Sequence, residues 1–153
     1  MIVYRIGSGR HPANDGVGAS IYGGRWNHKG TPVIYTAASR ALCALEVLVN
    51  ADELADDYIS IEIEIPDDLG CTSMEIPDLP LGWDANPSIG ATRDIGSDWA
   101  RSNSTPVLSV PSAVIPRERN YLLNPAHPEF QRIHFSAPEP FYFDDRLGRR
   151  RLT

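Results

Sequence analysis

The chain has 153 residues and a mass of 16.9 kDa, which allows one compact domain with a core and argues against two. Its 42% hydrophobic and 22% charged residues are not the composition of a disordered chain. Acidic residues outnumber basic ones 20 to 14, a net charge of -6, so broad attraction to nucleic-acid backbones or anionic membranes is excluded as the main mode of action. No direct nucleic-acid contact and no membrane attachment are expected.

Residues 2–6 read as a short strand, with no charged leader or long apolar run before them, and nowhere do 18 apolar residues occur together; a cytoplasmic protein is expected. Residues 7–24, rich in Gly, Ser, Asn and Asp, read as a long loop ending at Gly23-Gly24. Residues 33–36 form a second strand, after which Ser39 offers an N-cap to a helix over about residues 40–50 whose neighbours should be mostly buried. Ile59, Ile61, Ile63 and Ile65 alternate with Ser60, Glu62 and Glu64, the signature of a half-buried strand. The Pro- and Gly-broken stretch 66–87 reads as an irregular surface excursion. A second helix is predicted over residues 91–101, with Ile95 and Trp99 on one face, followed by short strands at 107–110, 120–123 and 132–135. The pattern implies an α+β fold, residues 1–153 forming a single domain on one mixed or antiparallel sheet, with a short basic tail at 146–153 that reads as a frayed terminus.

Thirteen of the 14 basic residues are Arg, which suits bidentate grip on phosphate or carboxylate, and Lys29 is the one candidate for a Schiff base. Cys43 and Cys71 form no C-x-x-C, and the four histidines lack metal-site spacing, so neither a disulfide framework nor a bound metal is expected. Gly7-Ser8-Gly9 starts a dinucleotide fingerprint but runs into Pro12 and a loop; there is no P-loop and no G-x-S-x-G.

Three places could carry chemistry. Glu46 is the only ionisable side chain between Arg40 and Asp52, in an otherwise apolar run, so it either lies at the helix's exposed edge or faces a partner or cavity. Tyr22-Gly23-Gly24-Arg25-Trp26-Asn27 combines backbone freedom with charge, stacking surface and hydrogen-bonding groups, and reads either as a ligand loop or as a core-packed Trp26 beside a solvated Arg25. Ser112 puts one hydroxyl in the apolar segment Val110-Pro111-Ser112-Ala113-Val114, more often a structural feature than a functional one.

Taken together, Gly-Gly-Arg25-Trp-Asn, Pro32-Val-Ile-Tyr35-Thr-Ala, Ala44-Leu-Glu46, Val110-Pro-Ser112-Ala-Val and Asn120-Tyr-Leu-Leu-Asn124-Pro resemble the RES domain, from Tyr4-Arg5 to about Phe135. The resemblance implies a toxin of a bacterial type II toxin–antitoxin pair, with a fold like that of ADP-ribosyltransferase toxins, that arrests growth by degrading NAD+. It places the family's arginine, glutamate and serine on Arg25, Glu46 and Ser112, its strand tyrosine on Tyr35 and its early arginine on Arg5; Asn124 matches a frequent asparagine. Glu46, Arg25 and Tyr35 are then the expected catalytic residues, and Arg5, Arg25, Tyr35, Ser112 and Asn124 the expected NAD+ contacts. NAD+ enters as substrate, with no cofactor. The acceptor of the ADP-ribosyl group is water, phosphate or a protein. The resemblance further implies an Xre-like helix-turn-helix antitoxin as partner and a homodimer within that complex.

Overall fold

The computed structural model describes residues 1–148. Its frame is one eight-stranded sheet made of β1 (Ile2–Ser8), β2 (Ile34–Ala37), β3 (Tyr58–Glu64), β4 (Cys71–Ser73), β5 (Val107–Pro111), β6 (Arg119–Leu123), β7 (His134–Phe135) and β8 (Glu139–Pro140). The order is β4-β5-β6-β2-β1-β3-β7, with β8 also on the outer edge of β3, and only the β4–β5 pair is parallel. This is the α+β fold with a mixed sheet that the sequence implies.

The pairing is uneven. β1 and β3 match at seven positions, from Ile2 opposite Glu64 to Ser8 opposite Tyr58, and β6 pairs four residues of β2 and five of β5. Between β1 and β2 a single pair, Tyr4 opposite Ala37, joins the two halves. The sheet is therefore split along a seam, and backbone groups there need other partners. Arg5 supplies one: its Nη1 donates to the Tyr35 carbonyl at 3.1 Å.

Helix α2 (Arg40–Asn50) lies over this seam, packed on β1 and β2. Ser39 caps it as expected, its hydroxyl accepting from the Leu42 amide at 3.1 Å. Leu42 and Cys43 are buried with Ile6 and Ala37. The rest of α2 is less buried than its composition suggests, with Leu45 38% and Val49 59% exposed, because the helix covers only the narrow seam.

The two sheet faces carry separate cores. One gathers Val3, Ile61, Ile63, Ile65, Val107 and Leu123, which accounts for the alternating isoleucines. The other sets Trp26, Trp83, Trp99, Leu108 and Leu122 under helix α3 (Gly90–Ser102). A Cβ at Gly96 of α3 would stand 1.7 Å from the Trp26 carbonyl oxygen, so the helix can rest on the Trp26 backbone only with glycine there.

Three expectations are corrected. The predicted loop 7–24 contains a short helix, α1 (Val17–Tyr22), entered through Gly16 at φ 68°, where a side chain would be strained. The excursion 66–87 contains β4, which β5 recruits as a parallel edge, and a 3₁₀ turn at Ile76–Asp78. The predicted strand 132–135 shrinks to β7, since Phe130–Arg132 closes a 3₁₀ turn. Of the basic tail, Arg146 lies in the terminal turn α4 (Asp145–Gly148) and pairs with Asp144 at 2.9 Å; Arg149, Arg150 and Arg151 lie outside the described residues. Among the described residues no helix is long and apolar enough to cross a membrane.

Candidate active site

The seam opens into a cleft with two lobes. The smaller, about 340 Å³, is bordered by Arg5, Tyr35, Cys43, Glu46 and Asn120; the larger, about 700 Å³, shares Arg5, Tyr35, Glu46 and Asn120 and adds Arg25, Trp26 and the Tyr22-Gly23-Gly24 turn. Residues from β1, β2, β6, α2 and the Gly-Gly loop thus converge on a space of ordinary ligand size.

Glu46 faces this cleft from α2. Its Oε1 accepts from the Ser112 hydroxyl at 2.8 Å and from Asn120 Nδ2 at 2.8 Å. Ser112 is fully buried, and its Oγ in turn accepts from the amides of Val114 and Ile115 at 3.1 Å each. One hydroxyl therefore shapes the turn after β5 and orients the carboxylate. Two neutral donors thus fix the orientation of the carboxylate, which is in no ion pair among the described residues.

Tyr35 is locked. Its hydroxyl donates to Asn27 Oδ1 at 2.6 Å and accepts from the Trp26 amide at 3.1 Å, and burial pushes its ionisation well above the ordinary value, so it acts as a neutral phenol. Gly24 is required beside it, because a Cβ there would lie 2.6 Å from that hydroxyl. Asn27 Nδ2 donates to the carbonyls of Ala19 and Thr31 at 2.8 and 3.0 Å, tying the Gly-Gly-Arg-Trp-Asn loop to α1 and to the start of β2.

The two arginines differ. Burial lowers the Arg5 guanidinium from its ordinary value, against the opposing pull of Cys43 and Asp15. Arg25 Nη1 donates to the carbonyls of Trp83 at 3.0 Å and Ala85 at 2.8 Å, which ties the Gly-Gly loop to the 83–85 stretch. Among the described residues neither arginine forms an ion pair with a carboxylate, and both line the larger lobe. Burial also pushes the Cys43 thiol up to about 11, and its Sγ donates to the Tyr4 carbonyl at 3.0 Å; it is no nucleophile at neutral pH.

Of the residues expected at the site, Arg5, Arg25, Tyr35 and Glu46 border the cleft and Ser112 reaches it through Glu46. Asn124 lies elsewhere. Its Nδ2 donates to the Ala100 carbonyl at 2.9 Å and to Asn103 Oδ1 at 3.0 Å, and its Oδ1 accepts from the Ala126 amide at 3.0 Å. It fastens the end of β6 to α3 and has no group free for a ligand. Sequence reasoning missed Asn120, although a polar residue two positions before Leu122, and so on the same strand face, was a readable signal.

A family model for the RES domain matches residues 2–144. The chain belongs to the RES family. It is 42% identical to a "Prs ADP-ribosylating toxin" of Sphingobium sp. (strain YBL2), over 88% of this chain and 86% of that protein. It is 41% identical to a "Toxin Res" of Yersinia enterocolitica over 96% of this chain and 99% of that one, and 39% identical to a "Toxin Res" of Photorhabdus laumondii over 96% and 97%. The fold matches a chain in the crystal structure of the M. tuberculosis MbcT–MbcA toxin–antitoxin complex with a TM-score of 0.77, at 20% identity, over 92% of this chain and 83% of that chain. The likeness to that chain shows that the two share a fold.

Proposed function

We propose that this RES-family chain is a toxin that cleaves the bond between nicotinamide and ribose in NAD+. The observation that carries the reading is Glu46, a carboxylate fixed by Ser112 and Asn120 at the meeting point of two lobes, with Arg5 and Arg25 lining the same space. Loss of nicotinamide leaves positive charge on the ribose, an oxocarbenium-like centre, and a fixed carboxylate stabilises charge that exists only in the transition state. Guanidinium groups suit the pyrophosphate, and the neutral, rigid Tyr35 ring offers a flat surface to the nicotinamide. The relative named as an ADP-ribosylating toxin supports the same bond as the one broken.

Three acceptors complete the reaction. Water yields ADP-ribose, inorganic phosphate yields ADP-ribose 1-phosphate, and a protein side chain yields a modified protein, with nicotinamide leaving each time. An Xre-like antitoxin is the proposed partner, in keeping with the toxin–antitoxin complex whose chain shares this fold, with the toxin as a homodimer in that assembly and the cytoplasm, where NAD+ is abundant, as the site of action.

The test is direct. Purified protein incubated with NAD+ should release nicotinamide, and Glu46→Gln, which keeps shape and removes charge, should lower that rate about 100-fold or more while leaving the melting temperature close to that of the wild type. A folded Glu46→Gln protein that consumes NAD+ at the original rate removes Glu46 from the mechanism. Chromatography of the products, with and without phosphate, identifies the acceptor.

A further inference from the structure

We propose that Asn120 is a positioning and specificity-determining residue: its Nδ2 orients the Glu46 carboxylate while its Oδ1 accepts a hydrogen bond from the nicotinamide riboside half of NAD+. The inference rests on the NAD+ reading above. Asn120 sits in β6, opposite Ala37 of β2 and Val110 of β5, so its position is set by strand pairing on both sides. Nδ2 meets Glu46 Oε1 at 2.8 Å. A carboxylate only accepts, so the amide cannot be turned round without setting two acceptors against each other. The carbonyl end must then point away from Glu46, and there no donor meets it: among the described residues Asn120 Oδ1 is the one buried side-chain polar atom without a hydrogen-bond partner.

Buried acceptors in native proteins are almost always paired, and exceptions gather at functional sites. Asn120 borders both lobes, and its neighbour Glu46 is the proposed charge stabiliser. A donor entering the cleft beside Glu46 satisfies Oδ1 and at the same time holds the ribose against the carboxylate. The nicotinamide riboside half offers two such donors, the carboxamide N–H and a ribose O–H. A carboxylate in place of the carboxamide would set an acceptor against Oδ1 and a negative charge near Glu46.

Three dinucleotides separate these sources: NAD+, its nicotinic acid analogue, which lacks the amide N–H, and its 2′-deoxy analogue on the nicotinamide side. The wild type should prefer NAD+ over one analogue, and Asn120→Ala should lose that preference together with about 10- to 100-fold in kcat/KM, the scale of a hydrogen bond to a charged group. Loss of preference against the nicotinic acid analogue identifies the carboxamide as donor, and against the deoxy analogue the hydroxyl. Asn120→Asp keeps the shape and gives a second readout, useful also if the alanine variant does not fold. Two adjacent carboxylates share a proton, and the protonated Asp donates to Glu46 as the amide did, so activity should survive only toward acid pH. A wild type that releases no nicotinamide overturns the NAD+ reading and this inference with it. An active wild type whose substrate preference is unchanged in Asn120→Ala, or whose pH profile is unchanged in Asn120→Asp, overturns the inference alone.

Discussion

Asn120 and Asn124 stand four residues apart on one strand and its exit, and the fold uses them in opposite ways. At the far end of β6, Asn124 spends every polar group on the backbone of α3, on Asn103 and on the following turn. At the cleft end, Asn120 donates one hydrogen bond to Glu46 and keeps its acceptor unmatched. Position four residues along a strand thus decides whether an asparagine stabilises the protein or serves a ligand. The useful sign is the hydrogen-bond inventory, since the residue type is the same.

The contrast can be broken from the Asn124 side. Gly96→Ala should have the largest effect on stability, because the new Cβ would stand 1.7 Å from the Trp26 carbonyl and must push α3, with Ala100, off its seat. A cost of about 1–3 kcal/mol or more is expected, read as a fall in melting temperature of about 2–4 °C for each kcal/mol. Asn124→Ala leaves the Ala100 carbonyl and the Ala126 amide without their partner and should cost about 1–3 kcal/mol, with kcat and KM for NAD+ unchanged in the remaining folded protein. A stable Asn124→Ala protein with a raised KM would return Asn124 to the site. Arg25→Lys should act on binding instead: an ammonium cannot reproduce the planar fork, so KM rises about tenfold while kcat holds, and a fall in kcat alone would mean that Arg25 works on the transition state.

The smallest effect concerns Cys43. Burial favours its neutral thiol and lifts its ionisation from the ordinary 9.0 to about 11. The native state gains this preference below about pH 9 and loses it as the pH rises through about 11, so wild type and Cys43→Ala should converge or cross in melting temperature over that interval. At neutral pH an alkylating reagent should label exposed Cys71 first and leave Cys43 until the protein unfolds.

The isoleucine alternation of β3 and the serine cap of α2 were legible because each is a local rule, with a periodicity or a single hydrogen bond behind it. β4 was not, since three residues, Cys71–Ser73, become a strand only because the edge of β5 is there to pair with them. The site divides in the same way. Glu46 stood out as a lone charge in an apolar run, yet its orientation depends on Ser112 and Asn120, 66 and 74 positions away, which no local pattern reports. Asn124 lies away from the cleft because its partners are on α3 and just beyond it, which no local pattern reports either.

The seam between β1 and β2 has a consequence for synthesis. β1 must wait for β3, whose last paired residue is Glu64, and β2 for β6, which ends at Leu123. A chain emerging from the ribosome carries Arg5, Arg25, Tyr35 and Glu46 long before it carries Ser112 and Asn120. Until residue 123 is free, β2 has one bridged residue on one side and an open edge on the other, and Glu46 has no donors. The candidate site is thus complete only when four-fifths of the chain has been made.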